Sequence, residues 1–314
     1  MSSGAQTAAG FIELPVSQAF RTSSLRKAGV QKGDRVASTD AWIEPTLLLL
    51  TGPGSCIKHS IECVVIFLAT ATIGAIFSST SLDMGAARIV ERYSEITPKI
   101  LFIDTQVLYA GKKFDLRTKM AEAVRNLQTK TDLRKTVVVQ GVVSAEEFLS
   151  GEIDQLEYEQ TPFDQPLYIL YSSGTTGPPN CICHAVGGAL LMHKKEYMLH
   201  MEIGVDSVYY QYTTTGWMMW NYLVGSMASG AQIVLYDGSP LYPRPDGQIQ
   251  ILHREGVTHW GTSPRFLLAL KRSWSSSTSL PQLDSLRLTS SAGLPSVLTY
   301  IIGSMMAFRE RSHW

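Results

Sequence analysis

Neither sign of charge is in excess in this chain: 27 Lys and Arg balance 27 Asp and Glu over 314 residues. Without a net field there is nothing to draw in nucleic acid or an anionic membrane surface, and no basic cluster supplies one locally. Cysteine is scarce as well, and four residues do not make a secreted disulfide scaffold. Cys181, Cys183 and His184 look like the start of a metal site, and on a strand the two thiols would share a face. No second Cys/His pair follows at ligand spacing, so no metal ligands are assigned and both thiols are expected to be buried and structural. Long apolar runs are missing too. The longest, Cys63 to Phe77, is short for a membrane span and is broken by Thr70, Thr72 and Gly74. The opening MSSGAQTAAG lacks the positive n-region and apolar core of a signal peptide, and the closing FRERSHW carries no address signal. These absences predict a cytoplasmic globular protein that handles small molecules, with no nucleic acid and no membrane as partner.

What is present is a regular alternation of helical and strand patterns over a length that suits two ordinary domains. Helices are expected over Gln18–Ala28, ending at Gly29, over the run that stops near Gly74, and over Ala86–Glu95, Leu116–Gln128, Gly188–His200 and Gly247–Glu255. A last one opens with Ser263 as N-cap and Pro264 at its first position. Strands are expected after the Lys32-Gly33-Asp34 turn, through Phe77, and over Ile100–Ile103, Thr136–Gln140, Ser207–Tyr212, Ala231–Tyr236 and Thr258–Gly261. Such β-α alternation predicts an α/β fold of mostly parallel sheets flanked by helices. A boundary is expected near the acidic, proline-rich end of Ala145–Gln165, dividing a first subdomain (1–160) from a second (161–314). Within the first, residues 38–60 carry Pro45, Gly52, Pro53 and Gly54, breakers that mark an atypical segment.

The most telling stretch is Leu167 to Asn180, LYILYSSGTTGPPN, where an apolar run gives way to Ser, Thr and Gly. Gly174 and Gly177 lack a Cβ, so the main chain can approach an anion closely. Ser172, Ser173, Thr175 and Thr176 can add hydroxyl donors to the backbone N–H groups. That is the composition of a phosphate cradle, yet the Walker A spacing is absent and no lysine follows the second glycine directly. A second constellation is YTTTGWMMWN at Tyr212–Asn221. On a helix Trp217 and Trp220 would share a face, as would Trp217 and Asn221, which reads either as a core stripe or as the wall of an apolar slot.

Tyr171 to Pro179 resembles, position by position, the phosphate loop of the AMP-forming acyl-CoA synthetases, roughly [YF]-[ST]-S-G-[ST]-T-G-x-P-K. The continuation CICHAVGGALLMHKKEYMLH and the YTTTGWMMWN string are similar to the acetoacetyl-CoA synthetase branch. The resemblance implies the N-terminal domain of the adenylate-forming ligase fold, with ATP, CoA and Mg2+ as cofactors and a short carboxylic acid, acetoacetate, as substrate. Carried onto this sequence, it gives nucleotide binding to Ser172, Ser173, Gly174, Thr175, Thr176 and Gly177, with Ala292 and Gly293 packing on adenine. It gives the acid to Trp217, Met218, Trp220 and Asn221.

The lysine that the family places after Pro179 is Asn180 here. A charge-assisted hydrogen bond is worth roughly 1.5 to 3 kcal/mol, so nucleotide handling is expected to weaken by about one to two orders of magnitude. The family's later motifs, which serve ribose, Mg2+ and adenylation, find no match up to Trp314. The resemblance therefore covers the N-terminal part of the family only and implies a truncated fold, with no catalytic residue assigned. Two readings stay open: an acid–CoA ligase, and a non-catalytic relative that at most binds nucleotide or a partner.

Overall fold

Alternating short strands and helices need to bury both sheet faces, and two separate sheets do so here. The computed structural model describes residues 25–40, 61–81, 84–109, 112–139, 158–172, 179–236, 238–244, 246–273 and 281–291. The first half runs β1 (Arg35–Asp40), α1 (Ile61–Thr72), β2 (Ile76–Ser81), α2 (Ala86–Ile96), β3 (Ile100–Ile103), β4 (Gln106–Tyr109), β5 (Lys112–Asp115), α3 (Arg117–Lys130) and β6 (Lys135–Val138). The second runs β7 (Pro166–Tyr171), β8 (Cys181–Ala185), α4 (Val186–Lys195), β9 (Val208–Gln211), α5 (Met218–Gly225), β10 (Gln232–Val234), α6 (Gly247–Arg254), β11 (His259–Thr262), α7 (Pro264–Ser273) and β12 (Leu288–Ser291).

The larger sheet has six strands in the order β6-β3-β1-β2-β7-β8, parallel except for β8, which returns antiparallel along β7. A four-stranded parallel sheet, β10-β9-β11-β12, stands beside it. Parallel strands cannot be joined by tight turns, and among the described residues the connections from β1 to β2, β2 to β3, β9 to β10, β10 to β11 and β11 to β12 each carry a helix over a face. α1 (IECVVIFLATAT) is apolar nearly all round, and its buried side chains join one face of the larger sheet. It stops at Gly74, whose φ of 67° reverses the chain into β2 in a conformation that a side chain would strain. α2 and α3 are amphipathic and cover the opposite face through Ile89, Val90, Tyr93, Ile96, Met120, Ala123 and Leu127.

α5 is the shared layer. Trp220 and Val224, four apart, join the core of the larger sheet, while Leu223 packs with Tyr209 and Ala231 on the smaller one. The far face of the smaller sheet is closed by α6 and α7 around Tyr210, Trp260 and Phe266. Ser263 Oγ accepts the backbone N–H of Phe266 at 3.2 Å, the capping bond expected at the start of α7.

β7 and β8 lie beyond residue 160 yet complete the first sheet, and the second begins with β9. The reason is that β7 pairs with β2, a partner far back in the chain. Several expectations are corrected. The exposed β4–β5 hairpin was not foreseen, because KKFD offers no apolar alternation. Cys181 and Cys183 sit exposed on β8, at the edge of the sheet, and are not buried. The helix read through His200 changes to a π-helical turn at Glu196–His200. Of the atypical segment 38–60, residues 38–40 extend β1 and the remainder lies outside the described residues, as do 1–24 and the acidic stretch 141–157. No helix among the described residues is long and apolar enough to cross a membrane.

His193 of α4 is 6% exposed, packed against the rings of Tyr222 and Tyr197 at 5.3 and 5.7 Å. Burial, with a smaller contribution from His184, pushes its pKa down from 6.5 to about 4. Between those values the unfolded chain binds more protons than the folded one, so stability is full above pH 6.5 and falls as pH drops towards 4. His193→Gln is expected to flatten that part of the pH dependence, measured by urea unfolding at pH 7 and pH 5.

Candidate functional site

In open parallel sheets, ligand sites form beyond the carboxyl ends of the strands, where the loops leave for the crossover helices. Two of these loop clusters meet here. The loop after β9, Tyr212–Trp217, reaches across to the end of β2: Ser79 Oγ donates to the carbonyl of Thr215 at 2.6 Å. Gly216 lies against the same strand end, where a Cβ would stand 3.3 Å from Ser81 N and 3.4 Å from Thr80 Cα. A side chain here would push the two backbones apart by a few tenths of an ångström, which glycine avoids.

Buried hydroxyls and amides collect at this junction. Ser81 Oγ, Thr214 Oγ1, Thr215 Oγ1, Asn221 Oδ1 and Ser291 Oγ have no hydrogen-bond partner among the described residues. Ser81 ends β2, the two threonines belong to the loop after β9, Asn221 sits in the first turn of α5, and Ser291 ends β12. Interiors seldom leave such groups unmet, so a cluster of them at strand ends fits a surface that a polar ligand completes. Neither Ser81 nor Ser291 was picked out from the sequence. The signal for Ser81 was available: β2 reads IFSSTS, an apolar strand turning into a run of hydroxyl residues that are all buried.

The Ser/Thr/Gly loop leaves β7 at the same edge and returns as β8. Tyr171 and Cys181 are cross-strand partners, and the loop is closed beyond them by two bonds. Ser172 N–H donates to the carbonyl of Asn180 at 3.0 Å, and Asn180 N–H donates to Ser172 Oγ at 2.9 Å. The neck is thus fixed at an interior strand end. Ser173, Gly174, Thr175, Thr176 and Gly177, like Ala292 and Gly293, lie outside the described residues. Asn180 is exposed. Tyr171 is held well above the usual phenol range by burial, and its hydroxyl donates to the carbonyl of Arg92 at 3.2 Å.

Trp217 and Trp220 part company. Trp217 is the extended residue ahead of α5 and is 55% exposed, whereas Trp220 is 0% exposed. Trp220 stacks on Phe77 at 5.8 Å and meets Phe67 edge-on at 5.7 Å. The shared helical face read from their spacing is therefore corrected, because the helix begins one residue too late. Met218 packs on the same core, close to the Tyr168 hydroxyl at 3.9 Å. Asn221 is buried and donates from Nδ2 to the carbonyl of Trp217 at 3.4 Å. Arg265 lines an open hollow with Leu241, Leu268, Ala269 and Arg272. Among the described residues, no group of three or more His, Cys, Asp or Glu could hold a metal ion.

Residues 54–303 match the family described as AMP-binding enzyme. The chain is 40% identical to the acetoacetyl-CoA synthetase of Gallus gallus over 279 residues, which is 83% of this chain and 39% of that protein. It is 38% identical to the acetoacetyl-CoA synthetase of Danio rerio over 304 residues, 91% of this chain and 42% of that protein. The solved acetoacetyl-CoA synthetase from Streptomyces lividans superposes with a TM-score of 0.81 at 32% identity, covering 95% of this chain and 44% of its own. The chain thus spans about two-fifths of the length of the curated relatives it matches. Trp220→Ala is expected to cost about 3–5 kcal/mol of stability, and Trp217→Ala no more than about 0.5 kcal/mol, both read from urea unfolding midpoints.

Proposed function

The chain belongs to the AMP-binding enzyme family, and on that footing we propose that it takes part in the ATP-dependent, AMP-forming activation of a short carboxylic acid, acetoacetate, to its CoA thioester. A carboxylate oxygen of the acid attacks the α-phosphorus of ATP. The bond to the bridging oxygen breaks, and pyrophosphate leaves with the electron pair. The thiol of CoA then attacks the acyl carbon of the adenylate, loses its proton and displaces AMP.

The observation that carries this reading is that the closed neck Ser172–Asn180 and the unmet hydroxyls of Ser81, Thr214, Thr215 and Ser291 all lie at the carboxyl ends of strands in the two sheets. In it, Ser172, Ser173, Gly174, Thr175, Thr176 and Gly177 wrap the phosphates, and Ala292 and Gly293 pack on the adenine. Trp217 and Met218 border the acid, Asn221 offers it a hydrogen bond from the second N–H of Nδ2, and Trp220 supports that wall from the core side. Mg2+ would screen the triphosphate charge when it arrives with the nucleotide.

Asn180 favours a second reading, in which nucleotide is held without turnover, because an amide replaces the ammonium that the family places beside the phosphates. Acetoacetate-dependent exchange of labelled pyrophosphate into ATP separates the two. Measurable exchange supports the ligase, and nucleotide binding with no exchange supports the second reading. Asn180→Lys is expected to tighten MgATP binding by about tenfold or more through one charge-assisted contact, as read by equilibrium titration.

A further inference from the structure

The residues that flank the phosphate loop are held from outside the loop, and by a single helix. Tyr171 is the last residue of β7 before the loop and Cys181 is the first residue of β8 after it, and the two form one cross-strand pair. α2 touches both. The guanidinium of Arg92 lies 5.0 Å from the centre of the Tyr171 ring, and its Nη1 donates to Thr80 Oγ1 at 3.3 Å. The Tyr171 hydroxyl donates back to the carbonyl of Arg92. One turn further on, the thiol of Cys181 donates to Glu95 Oε2 at 3.0 Å. Arg92 and Glu95 are three apart, so they share a face of α2 and meet the two sides of the neck together.

Neither contact is explained by packing alone. Arg92 is 7% exposed, and among the described residues no carboxylate lies within ion-pair distance of it. A buried guanidinium without a carboxylate is costly unless other groups meet it. The groups that do so here are a hydroxyl at the end of β2 and the ring that begins the loop. Cys181 stays a thiol, and so a donor, because partial desolvation of its sulfur and the adjoining Glu95 carboxylate push its pKa up to about 12.

We propose that Arg92 and Glu95 are positioning residues that clamp the two ends of the phosphate loop, fixing the neck from which it reaches nucleotide. This rests on the reading of residues 172–180 as a phosphate loop. Loss of either contact leaves the loop sequence intact and loosens its base.

The test is amide hydrogen exchange at Ser172 and Asn180, whose N–H groups make the neck bonds, in the full chain and in Arg92→Gln and Glu95→Gln. Exposed Glu91→Gln on the same helix is the control. Exchange at both amides is expected to rise about tenfold in the two clamp variants, as for loss of one hydrogen bond to a charged group, and to stay unchanged in the control. MgATP affinity is expected to fall by a similar factor with the unfolding midpoint of Glu95→Gln unmoved. Unchanged exchange at Ser172 and Asn180 in a folded Glu95→Gln protein overturns the clamp, and because Glu95 is exposed that variant decides even where Arg92→Gln fails to fold. Faster exchange in a chain that binds no MgATP keeps the clamp and overturns the nucleotide reading instead.

Discussion

Parallel pairing is the constraint on which the rest depends. A strand that runs beside its neighbour in the same direction sends its chain out at the same edge, so the crossovers must return over the faces. β2 and β7 are such neighbours, and so are β9 and β11. The loops that follow β2, β7, β9 and β12 are thereby gathered at carboxyl ends without any one of them needing a special fold. The close approach of Gly216 to the end of β2 then joins the two edges into one site.

α5 shows how one element serves both core and site. Its Trp220 and Val224 face the larger sheet and its Leu223 the smaller, so its axis is fixed from two sides. Trp217 and Met218 at its start, and Asn221 in its first turn, inherit that rigidity. Trp220 is buried against Phe77 and Phe67 while Trp217 stands exposed at the start of the same helix, so the two residues differ in setting despite their similar chemistry.

Much of this was legible in the sequence wherever local chemistry decides the outcome. Gly74 ends a helix because it adopts a left-handed turn, Ser263 and Pro264 open one, and Ile100–Ile103 forms a strand at the bounds expected from its apolar run. The Ser/Thr/Gly run stands out because few other structures need that composition, and the neck that closes it, Ser172 to Asn180, forms at the end of β7. What escaped was decided by distant partners. Nothing in PLYILY says that its neighbour is β2. CICHA gave no sign that it runs at a sheet edge, so its thiols were put inside. The spacing of Trp217 and Trp220 suggested one face only because the start of α5 was set a residue too soon. Arg92 and Glu95 were not singled out, because nothing local to the helix shows that the ends of the loop come to rest against it.

The seam between β2 and β7 also bears on how the protein is made. Ser78 and Ile169, hydrogen-bonded across it, are 91 positions apart. At about 5–20 residues per second of synthesis, β2 leaves the ribosome roughly 5–20 s before its partner exists. Throughout that interval one side of β2 is an uncapped strand edge, open to pairing with another nascent chain. β7 is thus also the lid that seals this edge, and newly made chains are most exposed to misassembly until it arrives.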